Sequence, residues 1–408
     1  MAKNVAVIFG GRTAEHEVSV ITAHQAMDAL AAGGHEILPI YVTKDGTWLH
    51  DPAFFGIELF RDSAALGNAK AAAARVVVRT GTKTGGLYAE KKAGLLGGKV
   101  LEELPVDVVL PAIHGSFGED GALQGLLEWA DLPYIGCDVE ASAVGMNKMA
   151  TKKLCQEHGI PVLPGVLVDR RFFDDREAAM TRAVEQLGEF PIMTKPRNLG
   201  SSIGVCRCDS KDDLESALEL ALELDEVALL EPALIDFYEI NCAVLGPPAK
   251  ASVCERPTTG SALLSFEEKY LRGAKDGKGG IGPKGSLGRS TKGKGSTGVE
   301  GEGMASFDRE VPARIGDGRT ALIRGLAVQA FEALCARGVT RVDFLVDKST
   351  DSVYLNEVNT IPGSFSFYLW EESGLPFDAL MDELIQIADT RYRARKATTF
   401  SFQNALLE

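Results

Sequence analysis

The opening of the chain constrains the fold most. Val5 to Phe9 is an unbroken apolar run that stops at Gly10-Gly11. A helical pattern from about Val18 to Leu30 follows, and then a second strand-like run at Glu36 to Val42. A strand covered on both faces reads as a continuous hydrophobic stretch, and strand, glycine turn, helix, strand is the unit of a parallel sheet. In open parallel sheets, ligands bind beyond the carboxyl ends of the strands. Val106 to Ile113 is another such run, leading through a glycine-rich turn into a helix from Ala122 to Ala130. Residues 51–104, rich in alanine and glycine, read as excursions from this unit.

Downstream, the pattern predicts a helix over Ala141 to His158, a strand at Val162 to Val168 and a helix near Arg176 to Leu187. A β-hairpin follows, with strands Phe190 to Lys195 and Ile203 to Cys208 around the tip Pro196 to Ser202. A helix from Lys211 to Leu224 comes next. Strands are expected at Val227 to Glu231, Glu239 to Leu245, Arg341 to Val346 and Val353 to Val358, with a helix from Arg319 to Arg337 between the second and third. From Gly273 to Gly303, 12 of 31 residues are glycine. Such a stretch cannot bury enough apolar area to offset its ordering entropy, so it is expected to be a mobile loop. It also holds near-matches to two nucleotide-binding fingerprints. Gly277 to Gly282 has no strand before it, and the P-loop-like Gly288 to Lys294 has Gly295 where Ser or Thr is required.

At 408 residues the chain is long enough for two or three domains, and 45% apolar residues suffice for their cores. With 43 basic and 57 acidic residues the net charge is −14, which argues against a nucleic acid or an anionic membrane as the main partner. No apolar run nears the ~20 residues that span a bilayer, and the N-terminus has no signal-peptide pattern. The seven cysteines are scattered without a Cys-x-x-Cys pair, as expected of reduced thiols in a cytoplasm. Cys206 and Cys208, two apart on a strand, point to one face as core residues rather than a metal site.

Four constellations carry chemistry. Gly10-Gly11-Arg12-Thr13-Ala14-Glu15 lies at a strand end, where Glu15 suits an ammonium group. His114-Gly115-Ser116-Phe117-Gly118-Glu119-Asp120-Gly121 occupies the same edge after another strand. The turn Lys195-Pro196-Arg197-Asn198-Leu199-Gly200-Ser201-Ser202-Ile203-Gly204 offers backbone N–H donors and a lysine to phosphates. Glu357 and Asn359, two apart, share a strand face, and a turn near Thr350 sets Asp343 roughly opposite Glu357. Crowded carboxylates of this kind suit Mg²⁺, which takes few protein ligands and completes its shell with water and phosphate oxygens.

Taken in order with Met146-Asn147-Lys148 and Asn356-Glu357-Val358-Asn359-Thr360-Ile361-Pro362-Gly363, these motifs resemble D-alanine–D-alanine ligases of the ATP-grasp superfamily, from about Val5 to Ala388. The resemblance implies a three-domain α/β ATP-grasp ligase: an N-terminal Rossmann-like parallel-sheet domain at 1–136, a central subdomain at 137–230, and a C-terminal subdomain at 231–408 with the insertion 273–303. It also implies D-alanyl-D-alanine formation through an acyl phosphate, for peptidoglycan precursor synthesis in the cytoplasm by a homodimer.

By the same resemblance Lys148 and Lys195 would contact ATP phosphates, with Gly200 and Ser202 closing over them. Glu231 would sit by the adenine and Glu239 would hold the ribose. Asp343, Glu357 and Asn359 would hold Mg²⁺ or Mn²⁺. Glu15 would bind the amine of the first D-alanine with His114 beside its carboxylate. Ser201 and Tyr270 would complete a hydrogen-bonded group with Glu15, and Arg341 with the Gly363 N–H would stabilise the oxyanion. The second substrate would meet Lys269, Tyr270 and either Ser366 or Tyr368. Rival readings are a ligase using D-lactate, D-serine or another acceptor, and a non-catalytic nucleotide-binding regulator.

Overall fold

A computed structural model describes residues 2–92, 98–258 and 309–400. Lys269, Tyr270 and the stretch 273–303 lie outside the described residues. The first sheet contains β1 (Asn4–Gly10), β2 (Glu36–Val42), β3 (Trp48–His50), β4 (Ala74–Arg79), β5 (Gly86–Lys92), β6 (Lys99–Glu103) and β7 (Val108–Ala112), in the order β6-β5-β4-β3-β2-β1-β7. Helix α1 (His16–Ala32) crosses from β1 to β2, which pair in parallel, and β7 runs parallel on the other side of β1.

The expected parallel sheet is thus the last three strands of this order, β2-β1-β7, at one side of the sheet. The rest of the sheet corrects the reading of residues 51–104, because β3 to β6 extend it in antiparallel fashion, with the short helices α2 (Ile57–Arg61) and α3 (Ser63–Ala72) between β3 and β4. Tight connections such as the turn from Thr43 to Thr47 permit only antiparallel pairing. All five residues of β6 are exposed, which hides the strand from hydrophobic patterning.

The expected helix over 141–158 divides into α5 (Val139–Met146) and α6 (Lys148–Glu157), after α4 (Ala122–Trp129). Asn147 breaks it: the backbone there is extended, and its side chain accepts the Ala150 N–H as the N-cap of α6. The second sheet is β10-β9-β11-β8, from β8 (Val166–Asp169), β9 (Ile192–Pro196), β10 (Cys206–Cys208) and β11 (Val227–Pro232). Helices α7 (Arg176–Leu187) and α8 (Lys211–Leu224) match their expected spans and pack on it through Met180, Leu214, Leu218 and Leu222. Cys208 is buried in that cluster and Cys206 packs at its margin.

The third sheet consists of β12 (Phe237–Gly246), β13 (Lys250–Pro257), β14 (Arg309–Glu310), β15 (Gly338–Asp347) and β16 (Val353–Asn359), in the order β14-β13-β12-β15-β16. Strand β13 is absent from the sequence reading because Lys250, Ser252, Glu255 and Arg256 break its apolar pattern. Helix α9 (Asp317–Ala333) ends before the expected Arg337, as Cys335 takes a left-handed conformation at φ 52° and the chain turns into β15. Helices α10 (Phe367–Glu371) and α11 (Phe377–Lys396) return to the first sheet, where α11 packs Leu380, Met381 and Leu384 with Leu30 and Leu110 in one core.

The row of site residues on β15 is backed by Phe344, which is fully buried beside Asp343. Phe344→Ala should lower unfolding stability by ~3–5 kcal/mol. Trp129→Ala, at a residue 74% exposed, should change it by less than about 0.5 kcal/mol. Urea titration of both variants checks this; equal effects would contradict the core assignment.

Candidate active site

Because β1 and β7 are parallel neighbours, the loops that follow them leave the same edge of the sheet. One carries Glu15 and the other carries His114 and Glu119. Glu15 is buried, and its carboxylate accepts the Ser201 hydroxyl from the turn between β9 and β10. Gly115 has φ +74°, and a Cβ there would come within 2.4 Å of Glu15 Oε2, so only glycine leaves room for this carboxylate. A Cβ at Gly200 would approach the same oxygen at 3.0 Å. Ser201 and Ser202 both adopt left-handed backbone, at φ 53° and 56°, which curls the turn toward Glu15.

The imidazole of His114 is buried and engaged by the protein. Its Nε2 lies 2.8 Å from Thr22 Oγ1, and the ring also bonds the Ile361 backbone. Burial brings its pKa down to about 4, so the ring is neutral at physiological pH. Thr22 Oγ1 accepts the Ser364 N–H at 3.1 Å, which links His114 to the loop after Gly363. Glu119 makes a second link of the same kind: Gly115 N–H donates to Oε2 at 2.7 Å and Ile361 N–H to Oε1 at 3.0 Å. Desolvation and then the nearby Glu15 carboxylate push Glu119 up to about 8.

Lysines converge on one buried carboxylate. Lys195 on β9 and Glu231 on β11 share a sheet face, and Lys195 Nζ sits 2.5 Å from Glu231 Oε2 and 3.0 Å from Asn356 Oδ1. Lys152, one turn into α6, pairs with Glu231 Oε1 at 2.6 Å and donates to the Leu163 carbonyl at 2.9 Å. Burial alone would raise Glu231; the two lysines outweigh it and hold the carboxyl down at about 2. Lys148, at the start of α6, donates its Nζ to the Leu199 carbonyl, and desolvation lowers its pKa. Two ammonium groups on the single Glu231 carboxylate leave an excess of positive charge in a desolvated cleft, which fits a polyphosphate. Glu239 stands on β12 opposite Leu345 of the same sheet.

On the third sheet the register aligns one polar row across four strands: Glu357 on β16, Asp343 on β15, Asn241 on β12 and Glu255 on β13. Directly opposed residues in antiparallel strands share a face. The expected juxtaposition of Asp343 and Glu357 is present, and Asn359 Nδ2 donates to Asp343 Oδ2 at 2.9 Å. Arg341 clamps Asp343 through two bonds of 2.7 Å. Among the described residues no three His, Cys, Asp or Glu side chains cluster as a metal site. The set therefore rests on two carboxylates and the Asn359 amide, oxygen donors that fit Mg²⁺ with water and phosphate.

At the far end of the row, Glu255 is 1% exposed and holds three donors: Arg309 Nη1 at 2.7 Å, the Tyr368 hydroxyl at 3.0 Å and Asn241 Nδ2 at 3.0 Å. Gly363 opens a tight turn in which Ser364, Phe365 and Ser366 all have positive φ, between 50° and 54°. The Ser364 and Ser366 hydroxyls are buried with no hydrogen-bond partner among the described residues.

Sequence reasoning omits Glu119, Thr22, Lys152, Glu255 and Arg309 from the site. Glu119 stands inside the quoted His-Gly motif and could have been found there. Lys152 sits four residues after Lys148, on the same face of a helix. Glu255 and Arg309 had no signal, since both depend on β13 and β14 pairing at the ends of the stretch 259–308.

Residues 4–137 match the family described as D-ala D-ala ligase N-terminus, and residues 154–281 and 302–386 match D-ala D-ala ligase C-terminus. A D-alanine–D-alanine ligase of Thermoanaerobacter pseudethanolicus is 35% identical over 95% of this chain and 96% of its own length. One from Kineococcus radiotolerans is 36% identical over 94% and 96%. Among solved structures, the VanG D-Ala:D-Ser ligase of Enterococcus faecalis superposes with a TM-score of 0.73 at 30% identity, covering 95% of this chain and all of that one. The D-alanine–D-alanine ligase of Coxiella burnetii gives 0.73 at 27% identity, covering 97% and 96%. With both halves of the family matched in order around the clustered Glu15, Ser201, Lys195 and Asp343, the chain belongs to the D-alanine–D-alanine ligase family.

Proposed function

We propose that this chain joins two D-alanine molecules to D-alanyl-D-alanine through an acyl phosphate, converting ATP to ADP and phosphate. The observation that carries the reading is Glu15, buried on the first sheet and bonded to Ser201 from the second, beside the lysine cluster. A buried carboxylate at that junction is suited to the ammonium of the donor amino acid. Tyr270 belongs with this pair by the family pattern. His114 is neutral and held by Thr22, so it serves as a wall of the donor site, not as a charged partner.

Lys148 and Lys195 bind ATP phosphates, under the turn that holds Gly200 and Ser202. Glu231, shared by Lys195 and Lys152, marks where the phosphates meet the adenine, and Glu239 takes the ribose. Asp343, Glu357 and Asn359 hold Mg²⁺, which when bound supplies charge neutralisation for the transferring phosphoryl group. Arg341 and the Gly363 N–H stabilise the tetrahedral oxyanion. Arg341 is held ready by its two bonds to Asp343. The acceptor meets Lys269, Tyr270 and the loop after Gly363. Because the Tyr368 proton is committed to Glu255, the Ser366 hydroxyl is the better carboxylate donor of the two. The enzyme acts in the cytoplasm as a homodimer and supplies peptidoglycan precursor synthesis.

The VanG structure, titled a D-Ala:D-Ser ligase, makes D-serine the acceptor to test against. Mass analysis of products from equal D-alanine, D-serine and D-lactate with ATP should give D-alanyl-D-alanine as the main species. A dominant mixed dipeptide or ester would assign another acceptor, and absence of phosphate release would point to a non-catalytic protein.

Glu357→Gln should cut turnover by about 100-fold or more while the melting temperature is preserved. Wild-type turnover at ordinary Mg²⁺ would remove Glu357 from the metal set.

Glu119 positions the donor loop against the Ile361–Gly363 loop, and its titration gives a stability test. Its folded pKa, about 8, stands above the ordinary 4.5, so its stabilising contribution is complete below about 4.5 and is lost as pH rises through about 8. Glu119→Gln should therefore flatten the fall in melting temperature between about pH 5 and about pH 9. Identical slopes in the two proteins would show that Glu119 does not titrate in that window.

A further inference from the structure

Two of the seven cysteines face each other across a strand pair. Cys242 on β12 and Cys254 on β13 are directly opposed in the antiparallel register, at 0% and 1% exposure. Opposed residues of such a pair have Cα atoms about 4.5–5.5 Å apart, within the span of about 4.4–6.8 Å that a disulfide bridges. Their side chains leave the same face of the sheet, and one thiol hydrogen-bonds the other. No other two cysteines oppose each other in any described strand register; Cys206 and Cys208 follow one another along β10, and Cys335 is exposed.

The pair is chemically asymmetric. The bond from Cys242 draws the Cys254 thiol below its ordinary range against the effect of burial, while the same bond and burial push Cys242 up. Arg324 of α9 donates to the Ala251 carbonyl of β13 at 2.9 Å, and its charge favours the thiolate at both sulfurs. One sulfur is thus prepared as a nucleophile and the other stands beside it to resolve the product.

The dithiol backs the polar row of the site. Cys242 follows Asn241 and Cys254 precedes Glu255, so the thiols lie on the opposite face from the Asn241–Glu255 hydrogen bond of 3.0 Å. That bond belongs to the row that runs to Asp343 and Glu357, and Glu255 also holds the Tyr368 hydroxyl at 3.0 Å. The thiol face packs with Ile323, Ala327 and Phe331 of α9. Opposed residues keep their Cβ atoms about 4.5–5.5 Å apart, whereas a disulfide needs about 3.5–4.5 Å, so bridging draws the strands together by about 1 Å.

We propose that Cys242 and Cys254 form a modification site for hydroperoxides, a dithiol that closes to a cross-strand disulfide and distorts the polar row on the other face of the sheet. The Cys254 thiolate attacks one oxygen of hydrogen peroxide, the O–O bond breaks, and the departing hydroxide takes up the Cys254 proton to become water. The Cys242 sulfur then displaces the sulfenic hydroxyl, which leaves with the Cys242 proton as a second water. The two sulfurs give up two electrons in all, and the peroxide accepts them. Peroxide is small enough to reach the pair by local opening of β13, which β14 pairs only at Arg256 and Pro257 among the described residues. Under reducing conditions the dithiol is the resting form. The disulfide does not depend on the ligase reading; its effect on turnover does.

The test treats the reduced full-length chain with graded hydrogen peroxide, blocks the remaining thiols with iodoacetamide in denaturant, and maps tryptic peptides without reduction. Trypsin cuts after Lys250, between the two cysteines, so the disulfide is read as two joined peptides. The joined pair should be the main oxidation product, and dithiothreitol should separate it. D-alanyl-D-alanine formation should fall by ~10-fold or more as the pair joins, the scale on which a displacement of about 1 Å acts, and should return with dithiothreitol. Methionine oxidation would not be reversed by that thiol. Cys254→Ala should ligate at the wild-type rate when reduced and resist peroxide, whereas Cys335→Ala should respond as the wild type does.

Cys242 and Cys254 that both carry the iodoacetamide label after Cys335 has been oxidised overturn the proposal. Joined peptides with unchanged turnover overturn the distortion of the row. If the reduced wild type makes no dipeptide, the ligase reading fails, and the peptide map still decides the dithiol.

Discussion

A single buried carboxylate joins the parts of this molecule that must act together. Glu119 accepts one N–H from the loop after β7 and another from the loop after β16, so the edge of the first sheet and the turn at Gly363 are held at a fixed separation. Thr22 and His114 repeat the connection a few residues away, through the Ser364 N–H. The second sheet is attached through Glu15 and Ser201. Every one of these contacts uses a backbone amide or a short side chain, groups with little rotamer entropy to lose, which makes them efficient at fixing geometry.

The electrostatics are arranged in two blocks with opposite purposes. Around Glu231, positive charge exceeds negative, and the cleft is left with an affinity for anions. Across the third sheet, carboxylates and arginines alternate, with Asp343 on Arg341 and Glu255 on Arg309. The Asp343–Arg341 and Glu255–Arg309 pairs are each neutral and can remain desolvated without a ligand, whereas the lysine cluster carries a net charge that a polyphosphate would neutralise.

The sequence was most legible where burial imposes periodicity. β1, α1, β2, α7 and α8 follow directly from apolar runs and helical spacing, and the Asp343–Glu357 pairing follows from strand alternation around a short turn. It was least legible where tertiary pairing replaces hydrophobic pattern. β5 and β6 are stabilised by cross-strand partners and by ion pairs such as Lys99–Glu90, which no local rule anticipates. The break at Asn147 was readable in principle, since Asn favours a cap over a helix interior, but continuous apolar spacing on both sides concealed it. For the candidate site, the quoted motifs singled out Glu15, His114, Ser201, Lys148 and Lys195. They did not reveal that both Lys195 and Lys152 are held by Glu231, because that contact joins elements far apart in the chain.

The turn at 364–366 departs most from ordinary backbone geometry. The residues after Pro362-Gly363 must place a hydroxyl and an aromatic ring within a span of six positions, while Leu369 and Trp370 anchor the chain in the core. A relaxed helix start would turn Ser364 and Ser366 away from each other, since residues two apart lie on opposite sides of a helix. Left-handed backbone at three successive positions tightens the turn instead, and the cost is carried by the burial of Phe365, Leu369 and Trp370. Core packing therefore supplies the energy that holds the turn at 364–366 in a conformation its own residues would not choose.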